Sequence, residues 1–153
     1  PGTSAWTIPL QIMGEAGAIH TNRQAMKKAM AILKAGGLLV VFPAGAVSRW
    51  RSDLARVTDP EWSFHVARLS VKTSAPVIPV RFFGKNPAWF ELCGMLHPIL
   101  RTALILRVFL AARGQLVRFR SGKEIKADSL RQLESVRQMS VMIRKAVESI
   151  DEP

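Results

Sequence analysis

A short apolar run, Leu38–Phe42, constrains the fold of this chain more than any other feature of its sequence. Five consecutive apolar residues that follow two glycines and precede a proline are typical of a buried strand in a parallel sheet. Pro43 ends the run and Gly45 follows closely, so the chain is predicted to turn sharply there. We therefore place the candidate functional loop directly after this strand, at the edge where open α/β sheets bind ligands.

The loop after the predicted strand carries groups that suit an anion. Ser48 offers a hydroxyl, and Arg49 and Arg51 offer guanidinium groups whose planar forks match phosphate oxygens. Residues of an extended segment alternate sides, so positions 49 and 51 can point the same way if Trp50 turns to the other. The sequence predicts a two-pronged anion clamp here, although loop arginines are also common in a chain of this charge.

The composition indicates a globular, strongly basic domain. The 153 residues are 48% hydrophobic and 22% charged, and 22 Lys and Arg against 11 Asp and Glu give a net charge of +11. Such a charge favours a polyanionic partner, which could be an anionic membrane surface, a phosphate-bearing substrate or nucleic acid. The basic residues are spread over every predicted element and no nucleic-acid motif is present, so we expect no specific nucleic-acid partner.

The order of the predicted elements favours parallel strand pairing. A helix is expected from Asn22 to about Ala35, and Asp59 with Pro60 reads as the start of a second helix that ends near Thr73. The segment 76–83 then reads as another short buried strand. We predict an α/β fold with a mixed, largely parallel sheet flanked by helices, in a single domain that covers residues 1–153.

The carboxyl-terminal third contains a segment, 98–113, that is apolar nearly all round if it is helical. It is either buried in the domain or lies against lipid or a partner with its arginines snorkelling, and we favour burial. Residues 115–120 alternate like a half-exposed strand, and a final helix is expected from Asp128 or Ser129 to about Ile150. No apolar run reaches the roughly 18 to 20 residues that cross a bilayer.

Catalytic and metal-binding groups are sparse in the sequence. Cys93 and His97 are four residues apart and could share a helix face, but no third group is present to orient the histidine, so we do not favour a catalytic thiol. His20 and His65 are isolated from other potential ligands, and we predict no metal site and no cofactor.

Two sequence blocks resemble the glycerolipid and lysophospholipid acyltransferase family. The segment Phe42-Pro43-Ala44-Gly45-Ala46-Val47-Ser48-Arg49 is similar to that family's third block, commonly Phe-Pro-Glu-Gly-Thr-Arg-Ser. The segment Ala75-Pro76-Val77-Ile78-Pro79-Val80 is similar to its fourth block, and Phe83-Gly84-Lys85-Asn86 looks like a bacterial branch of lysophospholipid or ornithine-lipid acyltransferases.

The resemblance implies a glycerol-3-phosphate acyltransferase-like fold and transfer of a fatty acyl group from acyl-CoA or acyl carrier protein to the hydroxyl of a lysolipid. It also implies a set of substrate-binding positions in the two blocks and the loop that follows each of them. These positions are Phe42, Pro43, Gly45, Ser48, Arg49, Arg51 and Asn86. Ala44 and Val47 stand where the common motif has Glu and Arg, so Arg49 and Arg51 are the candidates to replace its phosphate contacts.

The family's catalytic His-x4-Asp pair does not occur in this sequence, because the fifth residue after His20, His65 and His97 is Ala25, Ser70 and Thr102. We therefore expect no catalytic residue in this chain, an N-terminally truncated domain, and no activity of the chain alone. We expect phospholipid biosynthesis at the cytoplasmic face of the cell membrane, with the protein peripherally bound. The alternatives are a non-catalytic basic membrane-surface module and a nucleic-acid-binding domain.

Overall fold

The structure is a computed structural model that describes residues 18–46, 48–51, 53–84, 87, 89–90 and 98–152. These residues fall into two compact units. The first takes residues from Pro1–Pro43, Phe64–Val77 and Glu124–Ile143, and the second takes them from Ala44–Ser63, Ile78–Lys123 and Arg144–Pro153. The division therefore falls inside the predicted functional loop, between Pro43 and Ala44.

Helices make up most of the regular structure. They are α1 (Ala18–Lys34), α2 (His65–Thr73), α3 (Pro98–Ala111), α4 (Ala127–Arg131) and α5 (Val136–Glu148). The described strands are β1 (Arg49–Arg51), β2 (Arg56–Thr58), β3 (Val80–Phe83) and β4 (Arg118–Ser121). They form two antiparallel pairs, β1 with β2 and β3 with β4.

The predicted fold class is wrong, because no parallel pairing occurs among the described strands. Leu38–Phe42 is not a strand, and Leu38, Val40 and Phe42 are exposed instead of buried. The predicted strand 76–83 is reduced to β3 and an isolated antiparallel bridge between Val77 and Ile125. Pro76 and Pro79 lack the N–H donors that a central strand needs, which explains why the ladder is interrupted there.

The first unit is built on helix packing. Ala25 and Ala29 lie on the buried side of α1, which packs against α2, and α2 packs against α4. Leu130 of α4 is fully buried, and Leu69 of α2 is nearly so. The prediction of a first helix is confirmed, although the helix begins at Ala18 and not at Asn22.

The predicted final helix is divided in two by a capping motif at Ser135. The Gln138 backbone N–H donates to Ser135 Oγ over 3.2 Å, and the Gln138 side-chain oxygen accepts from the Glu134 backbone N–H over 3.1 Å. This arrangement is close to a capping box, which starts a new helix. Ile143 of α5 is buried, and residues 132–135 are not helical.

The second unit contains the β3–β4 pair and the end of α5. Arg81 of β3 donates to the carbonyl oxygens of Glu148 and Ile150 over 2.7 and 2.9 Å, and so satisfies acceptors that the end of α5 leaves free. Ile150 is buried beside Pro79 and Gly122, where a Cβ on the glycine would lie 3.0 Å from Ile150 Cδ1.

Helix α3 does not meet our expectation of burial. Several of its large apolar side chains are exposed, and they are Ile105, Leu106, Phe109 and Leu110. Among the residues that the structure describes, no helix is long and apolar enough to cross a membrane.

Candidate functional site

The candidate loop leads into a small β-hairpin. After α1 the chain runs without regular structure to Pro43, and Gly45 adopts a φ of 64°, a left-handed conformation that glycine takes without a steric penalty. β1 and β2 follow, paired so that Trp50 faces Val57 and Arg51 faces Arg56. The loop is therefore continuous with a two-stranded ribbon and not with the end of a buried strand.

Asp59 connects Ser48, just before β1, to the residues just after β2. The Ser48 hydroxyl donates to Asp59 Oδ1, and the indole N–H of Trp62 donates to Asp59 Oδ2 over 3.0 Å. Because one carboxylate receives both donors, it joins the residue before β1 to the residues after β2. Charge-assisted hydrogen bonds of this kind are stronger than neutral ones, so Asp59 holds the base of the hairpin together.

Arg144 supports the same region from α5. Its guanidinium donates to Thr58 Oγ1 over 2.9 Å and to the carbonyl oxygens of Pro60 and Asp59 over 3.2 and 3.4 Å. It also donates to Glu148 Oε1 over 2.8 Å and lies 5.8 Å from the centre of the Trp62 ring.

These contacts explain why the predicted helix start at Asp59 is wrong. Carbonyls that a helix would use for its own hydrogen bonds accept from Arg144, and the Asp59 carboxylate is already occupied by Ser48 and Trp62. The segment 59–63 is therefore non-helical, and α2 begins only at His65.

Arg51, one prong of the predicted clamp, is held by a neighbouring carboxylate. Its Nε donates to Asp53 Oδ1 over 2.9 Å, and its Nη2 donates to Asp53 Oδ2. The hydrogen bond from Arg51 holds the pKa of the Asp53 carboxyl below its usual value. An incoming phosphate would have to displace this carboxylate or share the guanidinium with it.

The two faces of the hairpin differ in chemistry. Alternation along the strands places Trp50 and Val57 on one face, where both are partly exposed, and Arg51 and Arg56 on the other. Two like charges directly opposite each other repel, and the Asp53 carboxylate offsets that repulsion. The arginine face can receive an anion, while the Trp50 face can contact an apolar group.

The predicted site residues are only partly brought together. Gly45, Ser48 and Arg51 lie in the second unit, whereas Phe42 and Pro43 belong to the first, and Phe42 is 71% exposed. The backbone of Arg49 is part of β1 but its side chain lies outside the described residues, and Asn86 lies outside them entirely.

Sequence reasoning missed three residues that organise the hairpin. The spacing of Arg51 and Asp53 is a signal that could have indicated their ion pair, because i and i+2 positions of a tight turn lie close together. Asp59 was assigned to a helix cap that does not form. Arg144 is more than eighty residues away from its carbonyl partners, and nothing in the sequence indicates the contact.

Potential catalytic and metal-binding groups remain scattered. No group of three His, Cys, Asp or Glu residues that could hold a metal ion occurs in the described part of the chain. Cys93 and His97 lie outside the described residues. At His65, burial lowers the pKa of the imidazole, with a smaller effect from Arg68, and its buried Nδ1 has no hydrogen-bond partner among the described residues.

Comparison of the chain with protein-family models, with curated proteins and with solved structures finds no match.

Proposed function

We propose that this chain is the acceptor-binding part of an acyltransferase that moves a fatty acyl group from acyl-CoA or acyl carrier protein to the hydroxyl of a lysolipid. The observation that carries the proposal is the occurrence, in order, of two blocks that resemble those of the lysophospholipid acyltransferases, Phe42–Arg49 and Ala75–Val80. It rests on these residues and not on the fold, since the predicted parallel sheet is absent from the described structure.

The β1–β2 hairpin supports acceptor binding by this chain. A lysolipid has an anionic head group and an apolar tail, and the hairpin presents arginines on one face and Trp50 with Val57 on the other. The network of Ser48, Asp59 and Arg144 anchors both strands at the base of the hairpin. A rigid support of this kind lowers the entropy lost when a ligand binds.

The test is binding of a short-chain lysophosphatidate, kept below its micelle-forming concentration, to the 153-residue chain by calorimetry. We expect Arg51→Lys to weaken binding about tenfold, because lysine keeps the charge but loses the bidentate fork. Asp53→Asn should strengthen binding about threefold, because it releases the Arg51 guanidinium and removes a nearby negative charge.

Asp128→Asn is the matched control. It removes the same charge from an exposed pair with Arg131 in the first unit, so a similar gain there would mean that only net charge matters. A lysophosphatidylcholine with the same acyl chain should bind more weakly. If Arg51→Lys and Asp53→Asn both stay within about twofold of the parent, Arg51 does not bind the acceptor.

A second candidate, a non-catalytic module that binds a membrane surface, is favoured by the lack of a His-x4-Asp pair in the sequence. Such a module would bind anionic lipid but show no preference for a lysolipid over a two-chain lipid of the same head group. Calorimetry with a short two-chain phosphatidate beside the lysophosphatidate therefore separates the two candidates.

A further inference from the structure

One segment of the second unit combines exposed apolar side chains with arginines. Seven large apolar residues between positions 105 and 119 are exposed, and they are Ile105, Leu106, Phe109, Leu110, Leu116, Val117 and Phe119. We call these seven residues the apolar segment. Phe109 is 73% exposed and Leu116 is 84% exposed, whereas side chains of this size are ordinarily buried against the rest of a folded protein.

On α3 the exposed side chains occupy one face. Ile105, Leu106, Phe109 and Leu110 are spaced i, i+1, i+4 and i+5, which places them within less than half of the helix circumference. Leu104 and Val108 lie on the opposite side and are less exposed. Helix α3 therefore presents a continuous apolar face to solvent.

The chain after α3 carries further exposed apolar side chains. Gly114, with a φ of 80°, reverses the chain, and Leu116 and Val117 then lead into β4. Phe119 pairs with Phe82 of β3, and the two rings lie 5.8 Å apart on the exposed face of the ribbon. Both parts belong to the second unit, and residues 112–117 connect α3 to β4.

The sequence around the apolar segment carries charge of a single sign. Residues 92–123 contain no Asp or Glu and several cations, which are Arg101, Arg107, Arg113, Arg118, Arg120 and Lys123. Arg107 and Arg113 are exposed at the edge and the end of the α3 face. Arginine stems can lie along apolar surface while the guanidinium groups stay in a polar layer.

We infer that the apolar segment docks in the interface of an anionic lipid bilayer, with α3 lying parallel to the membrane plane. At 14 residues α3 is about 21 Å long, shorter than the roughly 30 Å hydrocarbon core, so it can lie in the interface but cannot span it. Apolar side chains enter the acyl boundary and the arginines meet anionic head groups.

Charge complementarity selects lipid over a second copy of the chain. A symmetric dimer through this face would place α3 and the arginines of its sequence against the same groups of the second copy, and like charges would repel across the interface. An anionic bilayer offers negative charge and an apolar interior in the same surface. The inference deepens the proposed function, since it names the membrane as the place of the acceptor, but it does not require acyl transfer.

The test is sedimentation of the full chain with vesicles that contain no lysolipid, so that it can fail independently of acceptor binding. We expect binding to phosphatidylcholine vesicles that contain phosphatidylglycerol, little binding to phosphatidylcholine alone, and weaker binding as salt rises. Leu106→Gln and Phe109→Gln should each weaken binding about tenfold. Leu38→Gln, which changes an even more exposed leucine in the first unit, is the matched control and should bind like the parent.

Nucleic acid provides the second comparison, because the net charge attracts it without any apolar contact. The glutamine variants should bind a DNA duplex as the parent does. If Leu106→Gln and Phe109→Gln bind anionic vesicles as tightly as Leu38→Gln does, attraction is electrostatic only and the docking surface is wrong.

A fluorescent label tests whether the α3 face is covered by lipid, by another part of the chain or by a second copy. In a Cys93→Ala background, a polarity-sensitive dye on Leu106→Cys should report water before vesicles are added and an apolar environment afterwards, while the dye on Leu38→Cys should not change. An apolar signal before vesicles are added would show that another part of the chain or a second copy covers the face. The molar mass from light scattering then distinguishes a monomer, whose face another part of the chain covers, from a dimer. Either result overturns the inference.

Discussion

At the residue scale, His65 is the group whose surroundings predict a pH effect. Burial lowers the pKa of its imidazole, and the positive charge of Arg68 acts in the same direction. Its Nδ1 finds no partner among the described residues, so protonation in the folded state gains no hydrogen bond from them. The structure therefore favours a neutral His65.

We expect the chain to lose stability as the pH falls from about 7 to about 5, because the unfolded His65 binds a proton more readily than the folded one. The free energy of unfolding should be highest above the unfolded pKa and should fall until the pH passes below the folded pKa. Urea unfolding of His65→Gln at several pH values should show a smaller slope in this window. His20→Gln is the control, and equal slopes in both variants would assign the effect elsewhere.

Three arginines contact residues that are far away from them in the sequence. Arg81, Arg131 and Arg144 all donate to backbone carbonyls that other elements leave free. Their guanidinium groups carry five donors in a fixed plane, and one side chain can therefore satisfy acceptors from more than one segment. These three arginines therefore stabilise the fold in addition to contributing to the net charge.

At the scale of elements, the base of the β1–β2 hairpin depends on Arg144. We expect Arg144→Met to destabilise the chain by about 2 to 3 kcal/mol, because the apolar stem is kept while charge-assisted hydrogen bonds to Thr58 and Pro60 are lost. Lys145→Met removes a neighbouring exposed charge and should cost less than about 0.5 kcal/mol. Chemical denaturation of both variants measures the difference, and similar losses would contradict the anchoring role.

Some element boundaries can be predicted from local sequence patterns, and others cannot. Helix α1 has alanines in its buried face and ends before Gly36 and Gly37, and both features were visible in the sequence. The predicted half-exposed strand 115–120 is confirmed only in part, because β4 begins at Arg118 and is exposed at all four positions. The start of α2 was not, because the carbonyls after β2 are taken by a side chain from α5, and a local pattern carries no information about a contact between residues so far apart.

At the scale of the whole molecule, the missing catalytic pair leads to a prediction about activity. We expect the 153-residue chain to transfer no acyl groups from acyl-CoA to a lysolipid, since no histidine in the sequence is followed by an aspartate at the required spacing. General-base catalysis contributes typically about 10² to 10⁴-fold, so the loss is measurable in a thioester-release assay. Turnover that is abolished by Cys93→Ala or His97→Gln would contradict this prediction and would support a thiol mechanism.

The sequence by itself determined the net charge of +11, the acid-free basic region of residues 92–123, the absence of a His-x4-Asp pair and the amphipathic character of α1. The charge, the acid-free region and the missing pair are counted directly from the sequence. The helix pattern depends only on residues that are neighbours along the chain. The tertiary structure alone decided that β3 pairs antiparallel with β4, that Leu38, Val40 and Phe42 are exposed and that α3 turns an apolar face to solvent. An apolar run indicates that burial of its side chains would be favourable. Whether they are buried, and which residues cover them, depends on strand pairing and on packing partners elsewhere in the chain.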